Sequence, residues 1–176
     1  MSKYQYTEWI NSTGGPLVAL EEECANEWTG IQGDPSDYEI ACQTKDYVDI
    51  VRLHGSEVLV FGDEPLQTLV AHSETSIFVV RWMWAESEND VFSEIEKIDQ
   101  NIFDHTKSIN IRWKSQNIVL FDASSENYKE ESYIRFKVHS NTNQVSSVLW
   151  APNDKMSLLI HKITPIMNPY QTKKLR

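Results

Sequence analysis

Apolar residues in this chain occur in short runs that turn-forming residues separate, and this pattern constrains the fold more than any other feature. No uninterrupted apolar run exceeds four residues, and several segments alternate apolar and polar side chains. Ile109, Ile111 and Trp113, for example, alternate with polar residues. Such alternation is typical of a strand with one face in a core and the other in water. The chain is therefore predicted to be dominated by sheet.

About nine strands are predicted from these segments, and the tight turns between them favour antiparallel pairing. Only one segment has the pattern of a long helix: near residues 90–105, apolar residues fall on one stripe and Asp90 can cap the first turn. Short helical turns are predicted at residues 21–28 and after Asp37, which is a candidate N-cap. The predicted fold class is α+β, mainly antiparallel sheet with one long helix.

Charge is divided unevenly along the 176 residues, whose net charge is −10. Residues 1–99 contain 20 acidic and 5 basic side chains, a net charge of −15, whereas residues 100–176 contain 6 and 11, a net charge of +5. All six glycines lie before residue 63. No flexible linker separates the two portions, so we interpret them as two faces or sub-sheets of a single domain, residues 1–176.

Charge, hydropathy and cysteine content exclude several classes of function. No apolar run approaches the roughly 18 to 20 residues that cross a bilayer, and the first 20 residues lack the pattern of a secretory signal. The negative charge repels nucleic acid and anionic membranes. Cys24 and Cys42 suit neither a disulfide framework nor a zinc site, so two buried thiols are expected. We expect a cytoplasmic protein that binds neither nucleic acid nor a membrane.

Residues with catalytic potential are few. Asp63 and Glu64 are adjacent carboxylates in the turn at residues 62–65, and paired carboxylates can divide acid and base roles. An ordinary turn explains them as well, because Asp in turns binds nearby backbone amides. The five histidines lack metal-ligand spacing and no serine lies in a nucleophile elbow. We therefore predict no catalytic residue, no metal and no cofactor, and hence no enzyme.

The candidate partner-binding residues are acidic or aromatic. Acidic residues cluster in the first half of the chain, where they would steer a basic partner, although a solvated face is the alternative interpretation. Two tryptophans flank Met83 next to Arg81, and these residue types are enriched at binding hot spots, although core packing would also explain them. The predicted partner-binding residues are Glu21, Glu22, Glu23, Asp34, Asp37, Asp63, Glu64, Trp82 and Trp84.

Several separated motifs occur in an order that resembles a known family. They are Trp9-Ile10-Asn11-Ser12-Thr13-Gly14-Gly15-Pro16-Leu17, Trp28-Thr29-Gly30, Asp37-Tyr38 with Ala41-Cys42, Asp46-Tyr47, Gly62-Asp63-Glu64-Pro65 and Arg81-Trp82. Over residues 9 to about 85 this order resembles the immunity protein 21 family of bacterial polymorphic toxin systems. The segment Leu120-Phe121-Asp122-Ala123 is similar to the second half of longer members, and the C-terminal third has no firm motif match.

The resemblance implies a protein that binds and silences a toxin made by the same cell lineage. Combined with the charge, it predicts an acidic surface that covers a basic active site in the cognate toxin. A nuclease is the favoured toxin, because its cleft must hold phosphate. Two alternatives remain open. One is a small hydrolase or lyase that uses Asp63 and Glu64, and the other is a regulatory binding domain whose partner is not a toxin.

Overall fold

The computed structural model describes residues 2–62 and 65–166, which contain eleven strands and three α-helices. The strands are β1 (Gln5–Tyr6), β2 (Leu17–Glu21), β3 (Asp49–Leu53), β4 (Ser56–Phe61), β5 (Gln67–His72), β6 (Ile77–Ala85), β7 (Ser108–Arg112), β8 (Asn117–Asp122), β9 (Ile134–Lys137), β10 (Thr142–Asn153) and β11 (Met156–Pro165). The helices are α1 (Glu22–Ala25), α2 (Asp37–Ala41) and α3 (Glu88–Lys97), with 3-10 helices at Gln100–Phe103 and Tyr128–Glu130.

The strands form two antiparallel sheets that pack face to face. One sheet has six strands in the order β1-β5-β6-β11-β10-β7, and the other has five in the order β3-β4-β2-β8-β9. The prediction of mainly antiparallel sheet is confirmed. The predicted number of strands, about nine, is too small, because an element such as the two-residue β1 is too short to show an alternation.

Residues 1–99 and residues 100–176, the acidic and basic portions of the chain, stack on each other across the two sheets. In each sheet the strands from residues 1–99 lie together on one side and the strands from residues 100–176 lie on the other. Where the sheets stack, β4 lies against β7 and β5 lies against β9. Strands of the acidic portion therefore cover strands of the basic portion, and both portions contribute to both sheets.

Both sheets are also covered on their outer faces, which gives four layers. Along β8, Ile118 and Leu120 belong to the core between the sheets, whereas Val119 and Phe121 face the short helices α1 and α2. The outer face of the six-stranded sheet is covered by α3 and the 3-10 helix that follows it. Because both faces of a central strand are buried, such strands appear in the sequence as continuous apolar runs.

The predicted long helix is two shorter helices. α3 begins after Ser87, whose Oγ accepts a hydrogen bond from the Asp90 N–H at 3.2 Å, so Ser87 is the N-cap and Asp90 is not. The helix ends at Ile98, where the backbone becomes extended. Asp99 then caps the 3-10 helix Gln100–Phe103. The apolar stripe continues across this break, and for that reason periodicity predicted a single helix.

The cap of α2 also differs from the predicted one by a residue. The Ser36 hydroxyl accepts a hydrogen bond from the Glu39 N–H at 3.1 Å, and the Glu39 carboxylate accepts one from the Ser36 N–H at 2.8 Å. This reciprocal arrangement is a capping box. Asp37, the predicted N-cap, is the first helical residue. Its carboxylate is directed to the loop that precedes α2.

Candidate functional site

The outer layer on the five-stranded sheet consists of two very short helices and the loop between them. α1 and α2 have four and five residues, too few to be stable alone in water. Trp28 holds this layer on the sheet. Its indole packs edge-on to Phe121, and its Nε1 donates a hydrogen bond to the Ala123 carbonyl at 2.9 Å. The Phe121 ring stacks in turn on Tyr128.

The loop between α1 and α2 packs closely against the segment that follows β8. Gly30 has a φ of 58°, and a Cβ at this position would lie 2.5 Å from the carbonyl oxygen of Ser125, so only glycine fits. The Asp37 carboxylate accepts a hydrogen bond from the Thr29 N–H at 2.8 Å, and the Tyr38 N–H donates to the Gly30 carbonyl at 3.0 Å. These contacts hold the loop in one conformation.

A second buried carboxylate, Asp122, ties the turn at residues 13–16 to the end of β8. One of its oxygens accepts hydrogen bonds from the N–H and the hydroxyl of Thr13, at 2.6 and 2.9 Å. The other accepts from the Ser124 N–H at 2.8 Å. The glycine-rich turn is thereby held beside the end of β8, and its Thr13 and Gly14 amides are bonded to Asp122 and to the Ser12 hydroxyl of the chain itself.

The hairpin turn between β3 and β4 reaches this layer through His54. His54 and Gly55 have φ values of 53° and 70°, as the two central residues of a type I′ turn require. The His54 Nε2 lies 2.7 Å from a carboxylate oxygen of Asp37, and its Nδ1 lies 3.7 Å from the Glu27 carboxylate. The imidazole thus joins the hairpin to α2 and to the loop that follows α1.

Carboxylates dominate the solvent side of this layer. The exposed acidic residues of α1, α2, their connecting loop and the neighbouring 3-10 helix are Glu23, Glu27, Asp34, Glu39, Glu126, Glu130 and Glu131. We name these residues, together with Glu22 and Ile31, the α1–α2 surface. Glu22 is paired with Arg135 from β9. Ile31 is 56% exposed and gives the surface a large apolar side chain.

Beside this layer lies a groove that the sequence analysis did not identify. It has a volume of about 650 Å³ and lies between the β3–β4 turn and the end of β7. We name it the β3–β7 groove. Its lining includes Arg52, Glu57, Arg112, Trp113, Lys114 and the buried Glu21. Alternation predicts only that such cations are exposed, because their proximity depends on how the two sheets stack.

A serine and a histidine form a pair inside the sandwich. The Ser147 Oγ lies 2.7 Å from the His161 Nδ1, and the His161 ring packs edge-on to Phe61. Burial, together with the positive charge of Arg81, lowers the pKa of His161 well below its usual value. His161 is fully buried, so a substrate has no access to its imidazole. The pair stabilises the core.

The two cysteines occupy different environments. Burial and the charge of Glu21 raise the pKa of the half-buried Cys24 thiol, which disfavours the nucleophilic thiolate. Cys42 is exposed, so the expectation of two buried thiols is wrong for Cys42. It is the C-cap of α2.

The part of the chain that the structure describes contains neither a metal-binding cluster nor a membrane-spanning helix. No group of three or more His, Cys, Asp or Glu side chains in residues 2–62 and 65–166 could hold a metal ion. In the same residues, every helix is too short or too polar to cross a membrane.

Comparison with protein families identifies the chain. The family model of immunity protein 21 matches residues 8–155. The chain belongs to the immunity protein 21 family. The resemblance predicted from the motifs is thus confirmed, and the match extends well beyond residue 85 into the C-terminal third. No curated protein and no solved structure matches the chain.

Three of the motifs that resemble the immunity protein 21 family have structural roles in this member. Trp28 and Gly30 hold the α1–α2 loop on the sheet, and Asp37 bonds to that loop. Asp122, in the motif of the second half, holds the glycine-rich turn. These motifs therefore maintain the layer that carries the α1–α2 surface, and they do not themselves form that surface.

The predicted acidic residues fall into three groups. Glu22, Glu23 and Asp34 lie on the α1–α2 surface, where Glu23 and Asp34 are exposed and Glu22 is half-buried. Asp63 and Glu64 lie outside the described residues. Their predicted roles in partner binding, and in the alternative enzyme, stay predictions.

Glu21 and Asp37 form the third group, because both are buried, with exposures of 1% and 6%. The Glu21 carboxylate accepts hydrogen bonds from the Lys114 N–H at 2.7 Å and from the Ser56 hydroxyl. Asp37 binds the Thr29 N–H and the His54 imidazole. Their oxygens bond within the chain, so we leave both residues out of the α1–α2 surface.

The predicted aromatic residues lie on the other side of the molecule. Trp82 packs edge-on to Trp9 at a centroid distance of 5.3 Å, on the outer face of the six-stranded sheet. Trp84 is 48% exposed and lies on β6 beyond the end of its pairing with β5. The predicted acidic and aromatic residues therefore do not form one continuous surface.

Proposed function

We propose that this protein silences a cognate bacterial toxin by placing its α1–α2 surface over a basic toxin active site. Family membership indicates an immunity protein. The observation that carries the choice of surface is a set of exposed carboxylates on a layer that buried contacts hold rigid. A surface that is already ordered loses less conformational entropy on binding.

Charge complementarity supports a basic partner. Opposite charge increases the rate of encounter, and close charge pairs at interfaces couple by about 1.5 to 7 kcal/mol. A nuclease is the favoured toxin class, because cations that attract phosphate in its cleft would also attract carboxylates. Ile31 would add apolar contact among these charges. An interface of standard size, about 1,600 Å² in total, would be sufficient for nanomolar binding.

Inhibition of this kind needs no catalytic group, metal or cofactor, so we infer that the protein transforms no substrate. The place of action would be the cytoplasm, where a toxin of the same lineage is synthesised. We further infer that residues 1–176 act as one domain. The contribution of both portions of the chain to both sheets supports this inference.

Charge reversal on the α1–α2 surface tests the proposal. The experiment measures the dissociation constant for the toxin domain encoded by the adjacent gene, using isothermal titration calorimetry at two salt concentrations. For the double variant Glu23→Lys with Glu27→Lys, we expect the dissociation constant to rise about 100-fold, and the loss to be smaller at high salt. Cells that express this variant should lose protection against the toxin.

The matched control reverses two exposed carboxylates that lie off this surface, Glu8→Lys with Glu74→Lys. It makes the same change in net charge, so a general electrostatic effect would appear in both double variants. Equal weakening by both pairs would contradict a role for the α1–α2 surface. Absence of wild-type binding, together with failure to protect cells, would contradict the immunity function itself.

A further inference from the structure

We propose that the β3–β7 groove receives acidic side chains of the bound toxin. The inference rests on the proposed function and extends it, because it assigns a second contact of opposite charge. The interface on the toxin would then combine a basic region for the α1–α2 surface with a neighbouring acidic segment. The groove is a cation-rich site on a protein whose net charge is −10.

The groove and the α1–α2 surface are close enough for one partner to contact both. The β3–β4 turn forms one wall of the groove. The same turn is joined to α2 by His54 and Asp37, whose nitrogen and oxygen lie 2.7 Å apart. A toxin that covers Glu27, which also lies beside His54, would therefore extend to the mouth of the groove.

The cations of the groove exceed the carboxylates that could neutralise them. Both carboxylates of the lining are already engaged. Glu21 is bonded to Ser56 and to a backbone N–H, and Glu57 accepts hydrogen bonds from Arg52 at 3.0 Å and from the Arg112 N–H at 2.8 Å.

Two cations remain for a ligand. Among the described residues, the side chains of Arg112 and Lys114 form no ion pair. The Lys114 Nζ lies near the hairpin turn, 3.6 Å from the position that a Cβ on Gly55 would occupy. Arg112, at the end of β7, and Lys114, two residues further along, can bind carboxylates, the arginine as a fork and the lysine as a point charge.

The shape of the groove favours side chains over an added strand. A strand from the partner would need the free edge of β7, but the outward N–H of Arg112 is already bonded to Glu57. At the other end of the same edge, Lys107 and Asp46 are paired at 2.7 Å and connect the two sheets. The volume of about 650 Å³ is within the range of ligand pockets, roughly 300 to 1,000 Å³.

A protein segment fits the groove better than a nucleic acid does. A polyphosphate chain extends beyond any single groove, and here it would run along the carboxylates of the α1–α2 surface, which repel it. One or two carboxylates on a folded partner can enter the groove while the partner's basic residues face the acidic surface. The charge pattern therefore points to an acidic protein segment.

The test removes the two available cations without altering the backbone bonds. We expect the double variant Arg112→Gln with Lys114→Gln to raise the dissociation constant for the adjacent-gene toxin domain about 10-fold. The control, Lys97→Gln with Lys155→Gln, removes two exposed cations near the other outer layer. It should change the dissociation constant less than twofold. Circular dichroism and urea unfolding would verify that both variants fold.

The outcomes separate this inference from the proposed function. If the groove variant binds as tightly as its control while Glu23→Lys with Glu27→Lys still weakens binding, the groove is not a contact and the acidic surface stands. If wild-type protein does not bind the toxin, both proposals fail. Titration with a twelve-nucleotide single-stranded DNA gives the third outcome, because binding that the groove variant abolishes would identify phosphate as the ligand and overturn the assignment.

Discussion

The two outer layers of the molecule are attached to their sheets in different ways. α3 has ten residues and buries an apolar stripe that includes Val91 and Ile95 against the six-stranded sheet, and its hydrogen bonds to that sheet join side chains, such as Glu94 with the Trp150 indole. The layer of α1 and α2 has less regular structure. It packs on the sheet through Trp28. Its loop is held by the hydrogen bond that Trp28 donates to the Ala123 carbonyl, by the one that Asp37 accepts from the Thr29 N–H, and by the close approach of Gly30 to the segment after β8.

This difference indicates which layer is suited to recognition. A stripe of aliphatic side chains tolerates small shifts, because dispersion contacts are numerous and non-directional. Hydrogen bonds to backbone groups are directional, so they fix the positions of the carboxylates that the loop carries. The comparison therefore assigns structural cover to α3 and a fixed charged surface to the layer of α1 and α2.

The largest expected effect comes from Gly30→Ala. A Cβ at this position would meet backbone carbonyl oxygens at 2.5 and 2.6 Å, in a backbone conformation with φ of 58°. We expect a loss of about 4 kcal/mol in the free energy of unfolding, from overpacking combined with left-handed strain, and a matching loss of toxin affinity. Urea unfolding measures the loss in the free energy of unfolding.

Gly55→Ala is the matched control, because its φ is 70° and the nearest atom to a Cβ is the flexible end of Lys114 at 3.6 Å. It should cost about 1 kcal/mol, which is the conformational effect alone. Equal losses at the two glycines would show that the close approach of Gly30 does not hold the layer.

Ile95→Ala should break the other layer. Ile95 lies on the buried face of α3 and is 1% exposed. Truncation of such a side chain typically costs about 3 kcal/mol through lost burial and a residual cavity. Toxin affinity should stay within twofold of wild type at a temperature where the variant is folded. A large loss of affinity would place α3 in the interface and remove the distinction between the two layers.

The pH dependence of the free energy of unfolding tests the core beneath both layers, because it depends on the buried His161. The pKa of His161 is lowered by burial and by Arg81, so below pH of about 6.5 the unfolded chain binds a proton that the native chain does not. Stability should then fall as the pH decreases from 7.5 to 5.5, by about 1 kcal/mol. Urea unfolding of wild type and His161→Gln measures this slope, which the variant should lack. If the free energy of unfolding depended on pH equally in the wild type and in His161→Gln, His161 would not be the cause of the loss at low pH.

The smallest expected effects come from the helix caps. Ser36→Ala and Ser87→Ala each remove a side chain that accepts from a helix N–H, and each should cost about 1 kcal/mol in the free energy of unfolding. Calorimetry with the toxin sharpens the comparison, because only Ser36→Ala should weaken binding, about threefold, through looser positioning of Glu39. If Ser36→Ala and Ser87→Ala weakened toxin binding equally, α2 would have no greater role in the interface than α3.

Local patterns predicted the elements of the fold better than their arrangement. Alternation identified strands such as β7. The crossed stacking of the two portions was not predictable, because it depends on contacts between strands far apart in the chain. The break in α3 was missed because Ile98 interrupts the helix without interrupting the apolar stripe.

The acidic surface was predictable from charge only in part. Glu23 and Asp34 are exposed as expected, but Glu21 and Asp37 have the same chemistry and are buried. The sequence does not reveal which carboxylates meet backbone N–H donors, since those donors come from residues such as Lys114 that are distant in the chain. The groove was missed for the same reason.

The position of β11 has a consequence for the order in which the six-stranded sheet can assemble. β11 follows the other described strands in the chain, yet it lies between β6 and β10 in the six-stranded sheet. A nascent chain that ends before β11 would hold that sheet in two disconnected parts, and such late, long-range closure is slow. The six-stranded sheet therefore cannot close before Met156–Pro165 has been synthesised, and a truncation before this strand would leave β6 and β10 without the neighbour that joins them.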